Sequence, residues 1–309
     1  MRILITGSTG LVGSSLVDHF QDHDVKRLVR EEPESDDEIY WKPSDNTIND
    51  DELSGFDAVV HLAGESIVGR WNEEKKEAIR ESRVTGTSLL SEALANVEDP
   101  PEVLVCASAI GYYGDRGDEV LDESSSSGDL FLSGVCEDWE AAADPAREAG
   151  IRVAHARFGV ILSEKGGALA QMLTPFKFCL GGRIGDGEQW MSWVDLEDVV
   201  RALDYIIQHD DLEGPLNVVT PNPVRNRQYT TALGDVLGRP TLFPMPEFAA
   251  RLLFGEMADE LLLASTRVQP DKLRDHGFTF EYPHIKDSLV HLLISREEEL
   301  SVMEGSSPG

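Results

Sequence analysis

Arg2-Ile3-Leu4-Ile5-Thr6-Gly7-Ser8-Thr9-Gly10-Leu11-Val12-Gly13 is the stretch that decides the fold. A short, continuously apolar run reads as a buried strand, and it stops at the first glycine. Leu11, Val12, Leu16, Val17 and Phe20 then recur at helical spacing, so a helix over 11–20 is expected. Between the two, Gly7 permits a sharp turn. Gly10 lets the backbone approach a ligand without a Cβ in the way, and Gly13 permits close packing of helix on strand. Free N–H groups and the positive dipole end of a helix suit a diphosphate there. Gly7, Thr9, Gly10, Leu11, Val12 and Gly13 are therefore the first candidate cofactor residues.

Working outward, strands are expected over 25–29, 58–62, 103–107 and 153–158, with helices over 73–94 and 137–149 between them. Residues 31–55 are polar, acidic and weakly periodic, and read as an irregular crossover. Alternating strands and helices imply an α/β protein, a Rossmann-type doubly wound parallel sheet with right-handed crossovers. After Gly159 the pattern loosens. Helices are expected over 195–207, 228–237 and 254–264, and a strand over 216–219. The division is thus a dinucleotide-binding domain over 1–160, a smaller α/β substrate-binding and C-terminal region over 161–295, and a disordered tail over 296–309.

The second strand bears on which cofactor is chosen. Sites that take NAD place an acid at its end, bonded to the ribose 2′-hydroxyl. Here Val29 is followed by Arg30, whose guanidinium suits a 2′-phosphate. Glu31 and Glu32 come next and would serve the ribose if the strand ended later. NADP is the expected cofactor, ahead of NAD. Leu62, Ala63 and Gly64 close the third core strand with small residues that leave room for the adenosine half.

The chain has 309 residues and 57 acidic against 27 basic side chains, for a net charge of −30. Such a surface repels nucleic acid and anionic membranes. It stays soluble in strong salt, and the composition resembles that of haloarchaeal cytoplasmic proteins. No apolar run is long enough to span a bilayer, and no leader pattern opens the chain, so a cytoplasmic location is expected. Cys106, Cys136 and Cys179 form no Cys-x-x-Cys pair, and no zinc spacing is present.

Further motifs accumulate along the chain: Gly64-Glu65-Ser66, Arg70-Trp71-Asn72, Glu81-Ser82-Arg83-Val84, and Ser108 through Gly114 (Ser-Ala-Ile-Gly-Tyr-Tyr-Gly). Trp139-Glu140-Ala141-Ala142, Gly185-Asp186-Gly187-Glu188-Gln189, Ser192-Trp193-Val194 and Gly255-Glu256-Met257-Ala258 follow. With the Gly-x-x-Gly-x-x-Gly turn, these resemble an atypical, extended short-chain dehydrogenase/reductase of the NAD-dependent epimerase/dehydratase family. The matching branch is usually labelled nucleoside-diphosphate-sugar epimerase and carries a C-terminal domain of unknown function. The resemblance runs from about Met1 to Leu293. It implies that Val29 and Arg30 meet the NADP phosphate, that Leu62, Ala63 and Arg83 lie beside the cofactor, and that Val160 reaches the nicotinamide side.

Active short-chain enzymes use a Ser/Thr, a Tyr, and a Lys four residues after the Tyr, whose cation lowers the phenol pKa. Ser108 stands at a strand end where the helper hydroxyl belongs, and it also counts as a cofactor neighbour. The Tyr-x-x-x-Lys positions, however, hold Leu132 and Cys136. Two readings stay open. Tyr112 or Tyr113 replaces the missing phenol in an epimerase or oxidoreductase acting on a hydroxyl/ketone centre, with a nucleotide sugar as one candidate substrate. Alternatively, the chain binds NADP without ordinary catalysis. Arg70, Trp71, Arg183, Gln189 and Trp193 are the candidate substrate wall: guanidiniums for phosphate or carboxylate, indoles for stacking. A small-molecule substrate is the expected partner, and a homodimer is compatible with the sequence.

Overall fold

The computed structural model describes residues 1–295; the tail expected over 296–309 lies outside the described residues. In chain order the elements begin β1 (Arg2–Thr6), α1 (Leu11–His19), β2 (Asp24–Val29), β3 (Glu38–Lys42), β4 (Thr47–Ile48), β5 (Ala58–His61) and α2 (Glu73–Asn96). They continue with β6 (Val103–Ala109), β7 (Val120–Leu121), α3 (Phe131–Ala141), α4 (Asp144–Glu148), β8 (Arg152–Phe158), β9 (Val160–Leu162) and α5 (Gly167–Lys177). β10 (Trp190–Met191), β11 (Trp193–Asp195), α6 (Leu196–Gln208), β12 (Gly214–Val218), β13 (Val224–Arg225), α7 (Asn226–Leu237) and α8 (Glu247–Phe254) lead into β14 (Arg267–Val268), α9 (Asp271–Asp275) and α10 (Ile285–Val290).

Eight strands form one sheet in the order β12-β8-β6-β5-β1-β2-β3-β4. Every pairing is parallel except β3 with β4. The chain first builds outward from β1 to β3, then returns to the other side of β1 with β5, so the strand order reverses between β1 and β5. That reversal opens a crevice at the carboxyl ends of the strands, where ligands bind in doubly wound sheets. Side chains alternate across the sheet. Ile3, Ile5 and Val60 join the layer under α1 and α6, while Leu4 and Val59 join the layer under α2 and α4. Burial on both faces explains why these strands are continuously apolar. The segment after residue 160 supplies α6 and β12 to this same sheet as well as the smaller region above it.

Three stretches differ from the sequence reading. The acidic crossover over 31–55 contains β3, which lies next to the short edge strand β4 and points Ile39 and Trp41 into the core while Glu38, Tyr40 and Lys42 stay half-exposed. The helix expected over 137–149 is two: α3 begins six residues earlier, and α4 restarts at Asp144-Pro145. The start of α3 is set from far away, because the Glu260 carboxylate accepts the Phe131 and Leu132 amides at 2.8 and 2.9 Å. The helix expected over 254–264 is instead α8, stopped by Gly255 at φ +63°, and a separate wide turn over Ala258–Leu263. Among the described residues no helix is long and apolar enough to cross a membrane.

Candidate active site

The glycine turn sits at the β1/β5 reversal. Gly7 holds φ +68°, and a Cβ there would lie 2.8 Å from the Leu62 carbonyl. A Cβ on Gly13 would lie 2.2 Å from the Gly7 carbonyl oxygen, so helix and turn touch backbone to backbone. Thr9 and Gly10 are exposed at the mouth, Leu11 and Val12 are half-buried, and the first turn of α1 carries no acid. The opening amides therefore face the crevice with no carboxylate of their own turn to compete for an anion.

The floor is fixed by a buried polar cluster. The Thr6 hydroxyl oxygen accepts the Leu62 and Ala63 amides, both at 3.1 Å, so its proton goes to Nδ1 of His61 at 2.7 Å. His61 then carries its proton on Nε2 and donates to Thr87 at 3.0 Å; Thr87 also accepts from the Trp139 indole. Burial pushes the imidazole down to about 4, which keeps it neutral. Thus β1, β5, α2 and α3 are tied together directly beneath Leu62 and Ala63.

Two guanidiniums flank this floor. Arg30 is exposed at the end of β2, after half-buried Val29. Arg83 lies under Gly64, whose added Cβ would meet the guanidinium carbon at 3.4 Å. It stacks on Trp139 at 5.0 Å and donates to the Ile79 carbonyl. Burial pulls the Arg83 pKa down, and among the described residues neither Arg30 nor Arg83 has a carboxylate within 4 Å. The nearby Glu65 is spent on Lys75 at 2.7 Å; that bond, with smaller effects of Arg30 and Arg83, holds its carboxyl below the ordinary range. Val160 opens β9, and its amide donates to the Ser192 carbonyl at 2.9 Å, so that amide is not available to a ligand.

The hydroxyls expected to do chemistry are occupied. Ser108, 2% exposed, donates to Glu140 at 2.7 Å. Glu140 is clamped by Arg157 through two bonds of 2.7 Å, and Arg157 also donates to the Tyr113 hydroxyl at 3.0 Å. Tyr113 is fully buried and donates to Asn217 at 2.7 Å. Burial drives its pKa up to about 12, against the pull of Arg157. Burial also acts to raise the Glu140 carboxyl, but the Arg157 bonds keep it below the ordinary range, and so it is ionised. The network joins the ends of β6, β8 and β12 to α3. It gives Ser108 and Tyr113 fixed partners within the protein and leaves Tyr113 without exposed surface. Tyr112 differs: it is half-buried, with its ring 3.5 Å from the Arg157 guanidinium. The sequence signal for the network is the pair of polar residues inside β8, His155 and Arg157, both buried in the fold.

The expected substrate wall splits. Trp193 is in the core, its indole donating to the Asn222 carbonyl, and Trp71 is packed against Phe131 with its indole on the Ile67 carbonyl. Gln189 is a clasp, donating to the Ile184 and Leu262 carbonyls. All three have their side-chain N–H groups committed within the protein. Arg70 and Arg183 are exposed, with no carboxylate within 4 Å among the described residues.

Residues 3–133 match the model of the NAD dependent epimerase/dehydratase family, and residues 245–292 match a domain of unknown function, DUF1731. The chain is 43% identical over 292 residues to Epimerase family protein ML0860 of Mycobacterium leprae, covering 94% of each. It belongs to the NAD dependent epimerase/dehydratase family. Among solved structures, it is similar to human epimerase family protein SDR39U1 (isoform 2), solved with NADPH. The TM-score is 0.87 at 30% identity, covering 96% of this chain and 100% of that one. It is also similar to the nucleoside-diphosphate sugar epimerase from Corynebacterium glutamicum, with a TM-score of 0.80 at 39% identity, covering 100% of this chain and 62% of that one.

This member of the epimerase/dehydratase family departs from the usual catalytic set on α3. Leu132 packs with Trp71, Ile79, Val135 and Met257. Cys136 is buried, its thiol directed at the Ala109 carbonyl at 3.7 Å, and burial pushes its pKa up to about 12. Neither side chain can move a proton near neutral pH.

Proposed function

We propose that the chain binds NADP(H) and acts as an oxidoreductase or epimerase on a hydroxyl/ketone centre of a small molecule, with a nucleotide sugar as the leading candidate class. One observation carries the cofactor assignment. In a chain with 57 acids and 27 bases, two arginines beside the glycine turn stand free of carboxylates. Anion-binding arginines must be left unpaired in this way, and a surface so acidic would otherwise claim them.

The residues present fit the dinucleotide. Gly7 and Gly13 let the turn close backbone to backbone on β5 and α1, Gly10 stands exposed at the mouth, and the α1 amides suit the diphosphate. Arg30 would hold the 2′-phosphate. Arg83, under Gly64, would place a second positive charge on the adenosine side. Leu62, Ala63 and Val160 would shape the walls. The bound nicotinamide would supply or accept the hydride. With Tyr113 and Ser108 enclosed, Tyr112 is the phenol that remains to hand over or receive the proton. Its ring lies 3.5 Å from the Arg157 guanidinium, which fixes its place beside the network. Arg70 and Arg183 would receive the substrate's phosphate or carboxylate.

The enclosure of Ser108 and Tyr113 also favours a second reading, a cofactor-binding protein without turnover. The two separate cleanly. NADPH is titrated first, and then NADPH consumption is followed across sugar nucleotides and simple carbonyls with wild type and Tyr112→Phe. The enzymatic reading expects turnover that Tyr112→Phe lowers by at least about tenfold with NADPH binding unchanged. Tight NADPH binding with no turnover across the panel supports the second reading.

A further inference from the structure

Two acid-poor stretches carry seven of the twelve exposed large apolar side chains among the described residues. Residues 165–185 contain no acid, and residues 236–255 contain only Glu247, which is paired with Arg251. The fold brings these two stretches together in one ledge. The Met245 amide donates to the Arg183 carbonyl at 2.8 Å, the Gly185 amide donates to the Met245 carbonyl at 2.9 Å, and a Cβ on Gly182 would strike the Phe243 carbonyl. α8 begins where this ledge ends. Phe178, Leu180, Leu242, Phe243, Phe248 and Leu252 along it are each 60–74% exposed. Phe248 and Leu252, four apart on α8, share one helix face. Lys177, Arg183 and Arg239 on the ledge are exposed, with no carboxylate within 4 Å among the described residues.

The apolar area left open is about 800 Å², beyond the largest patch of an ordinary monomer and equal to one partner's share of a standard interface. Two copies of a −30 chain repel each other over most of their surfaces. The ledge is the face where acid has been removed and apolar surface put in its place. We propose that it is the docking surface for a second copy of this chain. The two ledges meet about a two-fold axis, so that the apolar side chains cover one another. The repulsion of the remaining surface is long-ranged at low salt and is confined to about 3 Å at 1 M. Association through this face therefore strengthens as salt rises.

The test is sedimentation velocity of the full chain at about 0.2 M and about 2 M potassium chloride, over a concentration series reaching about 50 µM. The proposal expects a dimer that tightens with salt. The double variant Phe248→Asp/Leu252→Asp should weaken it at least about a hundredfold. A second double variant on the other half of the ledge, Phe178→Ser/Leu242→Ser, should also weaken it, and circular dichroism should show both folded. A chain that stays monomeric at the highest concentration and salt overturns the proposal. A dimer that neither variant weakens overturns it too, by placing the contact elsewhere. So does a monomer that pellets with phosphatidylglycerol vesicles and loses that binding in the aspartate variant, since the ledge would then be a membrane-docking face.

Discussion

Replacing Glu140 by Gln asks the most of the buried network. The carboxylate holds Arg157 through two bonds of 2.7 Å and accepts from Ser108 at the same distance, with Arg157 only 3% exposed. Gln offers one acceptor oxygen and no charge, so it leaves a buried guanidinium without its counter-ion. Breaking a buried pair by removing one partner costs about 3–5 kcal/mol. For a chain of 309 residues, where 1 kcal/mol moves Tm by about 1.5 °C, Glu140→Gln should lower Tm by roughly 5–8 °C. Thermal unfolding followed by circular dichroism at fixed salt, with and without NADPH, reads this out. By comparison, Ser108→Ala removes one hydroxyl donor and leaves both Arg157 bonds, so about 1 kcal/mol is expected. A Glu140→Gln protein melting within 2 °C or so of wild type would refute the idea that this pair organises the strand ends. A Ser108→Ala protein that keeps its stability but loses turnover would return Ser108 to catalysis.

Two further outcomes follow from the same geometry. His61 and His155 are pushed down to about 4 by burial, from an unfolded value near 6.5, so the unfolded chain takes up their protons first as pH falls. Their stabilisation is complete above about pH 6.5 and is lost between there and pH 4. It amounts to about 2 kcal/mol for each ring by pH 5, and a urea-unfolding stability that stays flat across that window would contradict it. Gly13→Ala puts a Cβ 2.2 Å from the Gly7 carbonyl oxygen, with backbone on both sides. It should lower stability by about 1–3 kcal/mol and weaken NADPH binding, whereas Gly10→Ala, 3.2 Å from the same oxygen, should be milder.

The cofactor half was legible in the sequence for a physical reason: turn, helix start and packing glycine are local features, six residues apart, and their spacing carries the geometry. The place of Arg30 after β2 was legible because the apolar run of that strand stops at Val29. β3 was not, because it buries only alternate residues, Ile39 and Trp41, and its neighbours are as polar as a loop. The start of α3 was hidden because its cap, Glu260, is 128 residues from Leu132. The fate of Ser108, Tyr113, Gln189 and Trp193 was hidden for the same reason. Each looks like a reactive or recognising side chain by type, and only tertiary partners reveal that its hydrogen-bonding capacity is already used.

The central claim, a dinucleotide cradle with a 2′-phosphate clamp at Arg30, is tested most directly by the Kd values of NADPH and NADH for wild type and Arg30→Ala, measured by calorimetry at one salt concentration. A charge-assisted guanidinium–phosphate bond contributes about 1.5–3 kcal/mol, and the exposure of Arg30 favours the lower end, so NADPH binding should weaken about ten- to fiftyfold. NADH binding should change less than about twofold, since it lacks the phosphate that the arginine would grip. Equal losses for the two cofactors, or undiminished NADPH binding, would contradict the account.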